Sequence, residues 1–520
     1  MFTFYWLYQN SEDWLAVFKT DETYKIANDR ESLKMALSSV RCLVSYSNYK
    51  TSDKFLAKIL SNGKSNFLQE YLSIDLSQEE RICTIEEIGF NLRFNMKAST
   101  AEDYCKKRIA VCEKVFDERE EYLETKFEIV KEFGLSSRSI TKTRANLAAE
   151  ILQAKKVPKR PNILMYEFDK NVPQAELPKR LVSFYQSIKT NYQNTLEEKL
   201  KTEKFKMTLA GLTHVFGFGG VHAAKPKYKG EGHFLLIDVN QFFPSLIINN
   251  NFISTGVKNA SAFTDLYQKK VETEKLAYKV LINAVNGSMN NPYSNFYDPK
   301  QFYSVTVSGQ LIITHLLLVL ENFYEELIQT NTDGILVKIN PVMENTIREL
   351  LELWCRQLHL QVSITRIKKV WQKDVSNYVL ANDDGEYIRK GIFKKPNCFS
   401  NSLEVVSTGT FEAVVNGMKP QNFVIDRFKN GQIEEFHYIN KLQGDYQSIE
   451  QEVVGGYRKL NNTVCGVATN DKRCGGVYQV KNDLHSKLPG SPPNFLSYDK
   501  ATKKSINTKW YTEQIEKNCF

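Results

Sequence analysis

Short apolar runs separated by turn residues open the chain: residues 2–7, 15–18 and 42–46 read as strands, and together they predict an α/β unit over the first hundred residues. A helical period takes over at Ser99, which with Glu102 makes a Ser-x-x-Glu capping box. Val111, Val115, Tyr122, Phe127 and Val130 continue it to Phe133-Gly134, and the plain reading is one long amphipathic structural helix. From 135 to 175 the chain is polar, and Pro158 and Pro161 stop helices, which predicts a linker. A basic helical stretch follows with Lys199, Lys201, Lys204 and Lys206. Its lysines are interleaved with Glu197, Glu198 and Glu203, as on a solvated face.

Three later segments carry acids, amides or cations that the apolar pattern does not explain. Phe234-Leu-Leu-Ile-Asp238 is a strand that ends in an acid, and a buried carboxylate needs a cation or other partner unless it faces water at the strand end. Lys275, Lys279 and Asn283 recur every four residues, so a helix would stack two cations and an amide on one face, suited either to a polyphosphate or to solvent. Between two apolar runs, Asn331-Thr-Asp333-Gly334 forms the tip of a predicted β-hairpin, a pattern that a simple surface turn shares.

With 520 residues the chain exceeds one core and predicts about three or four domains. A net charge of +9 permits an anionic partner such as nucleic acid. The nine cysteines never form a Cys-x-x-Cys pair, which removes zinc ribbons and redox motifs and suits reduced thiols in a cytoplasm. The first fourteen residues lack a basic n-region, and the apolar run 311–320 is too short to cross a bilayer, so no membrane is expected.

In order and spacing, these segments resemble the family B DNA polymerases. Asp238 to Ser245 resembles motif A (Asp-x-x-Ser-Leu-Tyr-Pro-Ser), Lys279 to Gly287 resembles motif B (Lys-x-x-x-Asn-Ser-x-Tyr-Gly), and Gln329 to Gly334 is similar to motif C (Tyr-x-Asp-Thr-Asp-Ser). Gly219-Gly220 falls where the family's Tyr-x-Gly-Gly template motif sits. The chain departs at Gln241, Phe243, Ala284, Asn286, Gln329, Asn331 and Gly334. The resemblance implies Asp238 and Asp333 as catalytic acids and metal ligands, with Val239 beside them, holding two Mg²⁺ ions about 3.5–4 Å apart, for which Mn²⁺ can substitute. It implies a nucleotide site of Phe242, Phe243, Lys275, Lys279, Asn283 and Asn331, in which Phe243 resembles an aromatic gate under a deoxyribose. DNA contacts would come from Gly219, Gly220, Lys225, Lys227, Lys229 and Gly287, and from Tyr378 and Lys390 in a segment similar to the family's Lys-x-Tyr motif, with Ser376 in place of its Lys.

The expected fold is α/β and α+β multidomain, a right-hand polymerase with an N-terminal ribonuclease-H-like, exonuclease-type domain. The boundaries read 1–134 exonuclease-like, 135–175 linker, 176–248 first palm part, 249–288 fingers, 289–395 second palm part and 396–520 thumb. The family's exonuclease acids are largely missing. Ser47 to Asp53 resembles the second motif, but the first strand reads Phe4-Tyr-Trp-Leu-Tyr8 and the third motif appears as Tyr104-x-x-x-Arg108, which leaves Asp53 and Asp75 and implies a nuclease-dead domain. Only 41 residues separate Asp238 from Lys279, short enough to disfavour a protein-primed relative. The expectation is a DNA polymerase of phage or mobile-element type that takes primer-template DNA and deoxynucleoside triphosphates. The alternatives are a non-catalytic DNA-binding relative, or a primer-synthesising or non-templated nucleotidyltransferase.

Overall fold

The computed structural model describes residues 2–48, 51–68, 70–78, 83–157, 165–191 and 202–520. Lys199, Lys201, Glu197 and Glu198, with Pro158 and Pro161, lie outside them. The chain forms two compact units: Met1–Glu128 with Ser136–Thr141 and Ile392–Phe520, and Ile129–Leu135 with Lys142–Gly391.

In the first unit, β1 (Phe2–Gln9), β2 (Trp14–Thr20), β3 (Thr23–Ala27), β4 (Cys42–Ser45) and β5 (Leu72–Asp75) form one sheet in the order β3-β2-β1-β4-β5. β1 pairs antiparallel with β2 and parallel with β4, so a turn and then a helical crossover connect its neighbours. Because successive strand residues face opposite ways, Tyr5 packs with Phe18, Leu33 and Leu56, whereas Trp6 packs with Val17, Cys105 and Ile109 on the other face. The same unit holds a three-stranded sheet, a four-stranded sheet and the helices Glu404–Val415, Pro420–Asn430 and Thr508–Asn518. Phe423, Val424, Phe436, Val467, Tyr511 and Ile515 form a core among them.

The second unit is built on a seven-stranded sheet whose assigned pairings are all antiparallel. After a two-stranded sheet of β6 (Phe205–Leu209) and β7 (Leu212–Phe216), its strands are β8 (Ala223–Ala224), β9 (Tyr228–Val239), β10 (Glu326–Thr330), β11 (Gly334–Lys338), β12 (Val362–Asp374), β13 (Asn377–Asn382) and β14 (Tyr387–Arg389), in the order β14-β13-β12-β9-β11-β10-β8. Phe234, Ile328, Leu336, Ile367 and Val370 make a core on it.

Several expectations change. The helix predicted from Ser99 is two helices, Ala101–Asp117 and Glu120–Glu132. Thr100 rather than Ser99 caps the first, its hydroxyl accepting the Asp103 N–H at 3.1 Å, while a tightened turn from the Arg119 N–H to the Phe116 carbonyl separates the two. Inside the expected linker, Arg144–Ile151 is a helix capped by Thr143, with Leu147, Ala148 and Ile151 buried at helical spacing. Lys206 lies on a strand, Phe205–Leu209, where side chains alternate with period two. The apolar run 311–320 belongs to a 22-residue helix, Pro299–Leu320, started by an Asp298 cap and Pro299. By length and composition it could cross a membrane. Here it is the buried central helix of its unit, and even its polar Ser304, Thr306, Ser308 and Gln310 are enclosed.

Candidate active site

Asp238 lies at the end of β9, directly opposite Gly334, the first residue of β11. The Val239 N–H donates to the Asp333 carbonyl oxygen at 2.8 Å, fastening the hairpin tip to the strand that carries Asp238. A Cβ at Gly334 would collide with the Ile237 carbonyl oxygen and with Asp238 Oδ1, so glycine is what lets the two strands close at this point. Two carboxylates thereby stand side by side, Asp238 half-buried and Asp333 exposed. Burial, then the charge of Asp333, push the Asp238 carboxyl up to about 6, against the pull of the Lys390 ammonium.

The hairpin and the far strands close round this pair. Gln329 Nε2 donates to Asn331 Oδ1 at 2.9 Å and to the Val375 carbonyl at 3.1 Å. The Tyr378 hydroxyl reaches both Asn331 and Gln329, and burial, with the nearby charges of Asp238 and Asp333, raises its pKa. The Lys390 N–H donates to the Tyr378 carbonyl at 2.9 Å, which seats the Lys390 chain next to β13. On the other side of the tip, Thr332 Oγ1 and His222 Nε2 are 3.1 Å apart, and a Cβ at Gly220 would sit 2.6 Å from Thr332 Oγ1. Gly217 is tied to the central helix through Gln310, whose amide exchanges bonds of 3.1 and 2.9 Å with its N–H and carbonyl. The Gly219-Gly220 segment is therefore anchored beside the hairpin.

In front of Asp333 opens a cavity of about 790 Å³ bordered by Phe242, Phe243, Lys279, Asn283 and Gly287. Lys279, Asn283 and Gly287 are the exposed stripe of the helix Leu276–Met289 at a spacing of four. Lys270, from the helix Ser261–Thr273, borders the same space. Lys275 does not: it is the cap residue, in extended backbone, before the helix begins. Lys225 is ion-paired with Glu326 and lies 5.3 Å over the Tyr228 ring, while Lys227 and Lys229 are exposed. His222 and Gln310 escaped the sequence reading. The available signal was Gly309-Gln310 directly before the apolar run 311–320.

Among the residues aligned with exonuclease motifs, Tyr5, Asn48 and Asp53 meet, the charge of Asp75 reaches Asp53, and Arg108 stands apart. Asp53 is buried and accepts hydrogen bonds from the Tyr5 hydroxyl, from Asn48 Nδ2 at 3.1 Å and from Ser73 Oγ at 2.8 Å. Asp75 Oδ1 accepts from the N–H groups of Ser47 and Ser77 at 2.8 and 2.9 Å. Arg108 belongs to the opposite face of the sheet, its guanidinium 3.3 Å over the Tyr104 ring and paired with Glu86 at 2.8 Å.

No family model and no curated protein matches this sequence. The family B DNA polymerase from the hyperthermophilic archaeon Pyrobaculum calidifontis is similar in structure, with a TM-score of 0.50 and 11% identity over 99% of this chain and 77% of that one. The mixed α/β, multi-sheet architecture is thus similar in fold to a family B DNA polymerase.

Proposed function

We propose that this chain is a template-directed DNA polymerase of phage or mobile-element type, adding deoxynucleotides to a primer 3′-hydroxyl by two-metal nucleotidyl transfer without proofreading. The observation that carries the reading is the pair Asp238 and Asp333 on facing strand ends, with a cavity before Asp333 bordered by Lys279 and Asn283. In this reading 176–248 and 289–395 serve as palm, 249–288 as fingers, 396–520 as thumb and 1–134 as a nuclease-dead domain.

The donor set suits magnesium. The Asp238 carboxyl, raised to about 6 by burial first and then by the charge of Asp333, is one whose ionised form a cation would stabilise, and Mg²⁺ is bound through one or two carboxylates plus substrate phosphates. Among the described residues no group of three or more His, Cys, Asp or Glu could hold a metal. Substrate oxygens would have to complete the shell. Asp238 and Asp333, with Val239 beside them, would hold the ions, which when bound acidify the primer hydroxyl and neutralise the leaving pyrophosphate. Lys279 and Asn283 would grip the triphosphate, and Phe243 would face the sugar. Tyr378 and Lys390 would meet the primer end, and Gly219 and Gly287, where a Cβ would meet nothing within 4 Å, would leave room for the template.

The test is extension of a labelled primer on a DNA template with Mg²⁺ and single deoxynucleotides, in wild type, Asp238→Asn and Asp333→Asn. Template-directed extension lost in both variants is the expected result. Intact DNA binding without extension by wild type would favour the non-catalytic relative, and incorporation independent of template would favour a non-templated transferase.

A further inference from the structure

We infer that Gly309, on the central helix Pro299–Leu320, sets how far Phe243 stands into the nucleotide cavity and so how strongly a ribose 2′-hydroxyl is excluded. The inference rests on the polymerase reading and adds to it a specificity-determining position on an element that touches no substrate.

Glycine is disfavoured in a helix interior. The backbone does not demand it here, because Gly309 is not among the glycines with positive φ. Space does. A Cβ at this position would stand 3.2 Å from Cε1 of both Phe242 and Phe243 and 3.5 Å from Phe242 Cζ, so one of the rings would have to yield. The two rings stack at a centroid distance of 5.7 Å and an angle of 19°. Phe242 also lines the cavity but is only 5% exposed, which leaves it little room to move. Phe243 is half-buried and borders the cavity together with Lys279, Asn283 and Asp333. Its open side is the cavity, so a methyl group on Gly309 displaces it there, by a few tenths of an ångström. Gly309 is thus a positioning residue that holds the ring back and acts only through Phe243.

The experiment measures kcat/KM for one deoxynucleotide and the matching ribonucleotide on a primed template, in wild type, Gly309→Ala, Phe243→Leu and the double variant. If a misplacement of about 1 Å costs about a hundredfold, a few tenths of an ångström amount to about four- to tenfold. Gly309→Ala is expected to raise the deoxy-over-ribo ratio by that factor, chiefly through a higher KM for the ribonucleotide. Phe243→Leu is expected to lower the ratio, and the double variant to match Phe243→Leu alone. The inference is overturned by an unchanged ratio in Gly309→Ala, by equal losses on both nucleotides, or by a full Gly309→Ala effect that persists without the Phe243 ring. Should Gly309→Ala fail to fold, Phe242→Leu supplies the opposite sign, because shortening the stacking partner lets the ring recede and the ratio fall; an unchanged ratio there overturns the inference too. Wild-type extension with unaltered ratios removes this inference alone, whereas no wild-type extension removes the polymerase reading and the inference together.

Discussion

Replacing Gly334 with serine, the residue that motif C of the family carries there, should damage this protein. The Cβ would strike the Ile237 carbonyl oxygen and Asp238 Oδ1 and lie 3.0 Å from Asp238 Cα. Two of these are backbone atoms of β9, so no rotamer change relieves the contact. Non-bonded heavy atoms settle near 3.5 Å, so relief needs roughly 1 Å of separation between β9 and β11. Overpacking of this kind costs about 1–3 kcal/mol, and loss of glycine's freedom in the unfolded chain returns about 0.4–1 kcal/mol. A net loss of about 1–2 kcal/mol corresponds to a melting temperature lower by about 3–6 °C for a unit of this size. The same displacement moves Asp238 relative to Asp333 and should lower the extension rate about a hundredfold. Thermal unfolding and single-turnover primer extension of Gly334→Ser measure the two effects independently. Wild-type melting together with a wild-type rate would refute the argument that close strand approach at Gly334 holds the two acids together.

Asp238→Asn should abolish extension yet stabilise the fold. The folded carboxyl is raised from 3.8 to about 6, so its penalty grows as pH rises through that interval and is complete above it. Allowing for partial solvent screening, urea unfolding should show a gain of about 1–2 kcal/mol at pH 8 and almost none at pH 4, and an equal gain at both would contradict this. Glu344 has the opposite sign. Burial alone would raise its pKa, but hydrogen bonds from Arg366, Arg348 and His233 hold it down to about 2. Glu344→Gln should therefore lose about 2–3 kcal/mol at pH 7, and the loss should fade as pH drops from about 4.5 to 2; a pH-independent loss would exclude this origin. Wild type should not degrade a primer 3′ end, and Asp53→Ala should lower stability by about 1–3 kcal/mol because Tyr5, Asn48 and Ser73 lose their common acceptor. Primer degradation that Asp53→Ala abolishes would reverse the nuclease-dead assignment.

What the sequence reveals of this site follows from what local pattern encodes. The β10–β11 hairpin and the acid closing β9 are legible because strand period, turn residues and an acid after four apolar positions are all short-range signals. That Tyr378 and Lys390 stand beside Asp238 is not local: it depends on β12 pairing with β9 and β13 pairing with β12, and partner choice leaves no mark in a single strand. Faces are equally hidden. Tyr104-x-x-x-Arg108 and Asp53 look like parts of one motif set, yet neighbouring residues of β1 send their surroundings to opposite sides of the sheet. Lys275 shows the limit at helix ends: the four-residue repeat reads it as the first member of a helical stripe, whereas it is the cap residue before the first turn. Of the central helix the sequence shows only the apolar run 311–320, because its first half carries polar residues that bond inside the protein, as Gln310 does with Gly217.

The three departures from motif C, Gln329, Asn331 and Gly334, form one mutually adjusted set on the hairpin. Gln329, where the motif has tyrosine, donates to Asn331, where it has an acid, and the Tyr378 ring from β13 reaches both. Gly334, where the motif has serine, makes the space that Asp238 fills. An amide at 331 removes one charge from a place that already holds Asp333 and, across the strand gap, Asp238. The remaining two acids still repel each other, and burial makes that repulsion more costly. Packing gives no reason for an ionised carboxyl at 238, since an asparagine of the same shape would lie against Gly334 without the charge. A mutually repelling pair of acids, one of which, Asp333, borders a cavity with a lysine and an amide, is the arrangement expected where a cation and a polyphosphate bind, and this supports the catalytic reading over the non-catalytic one.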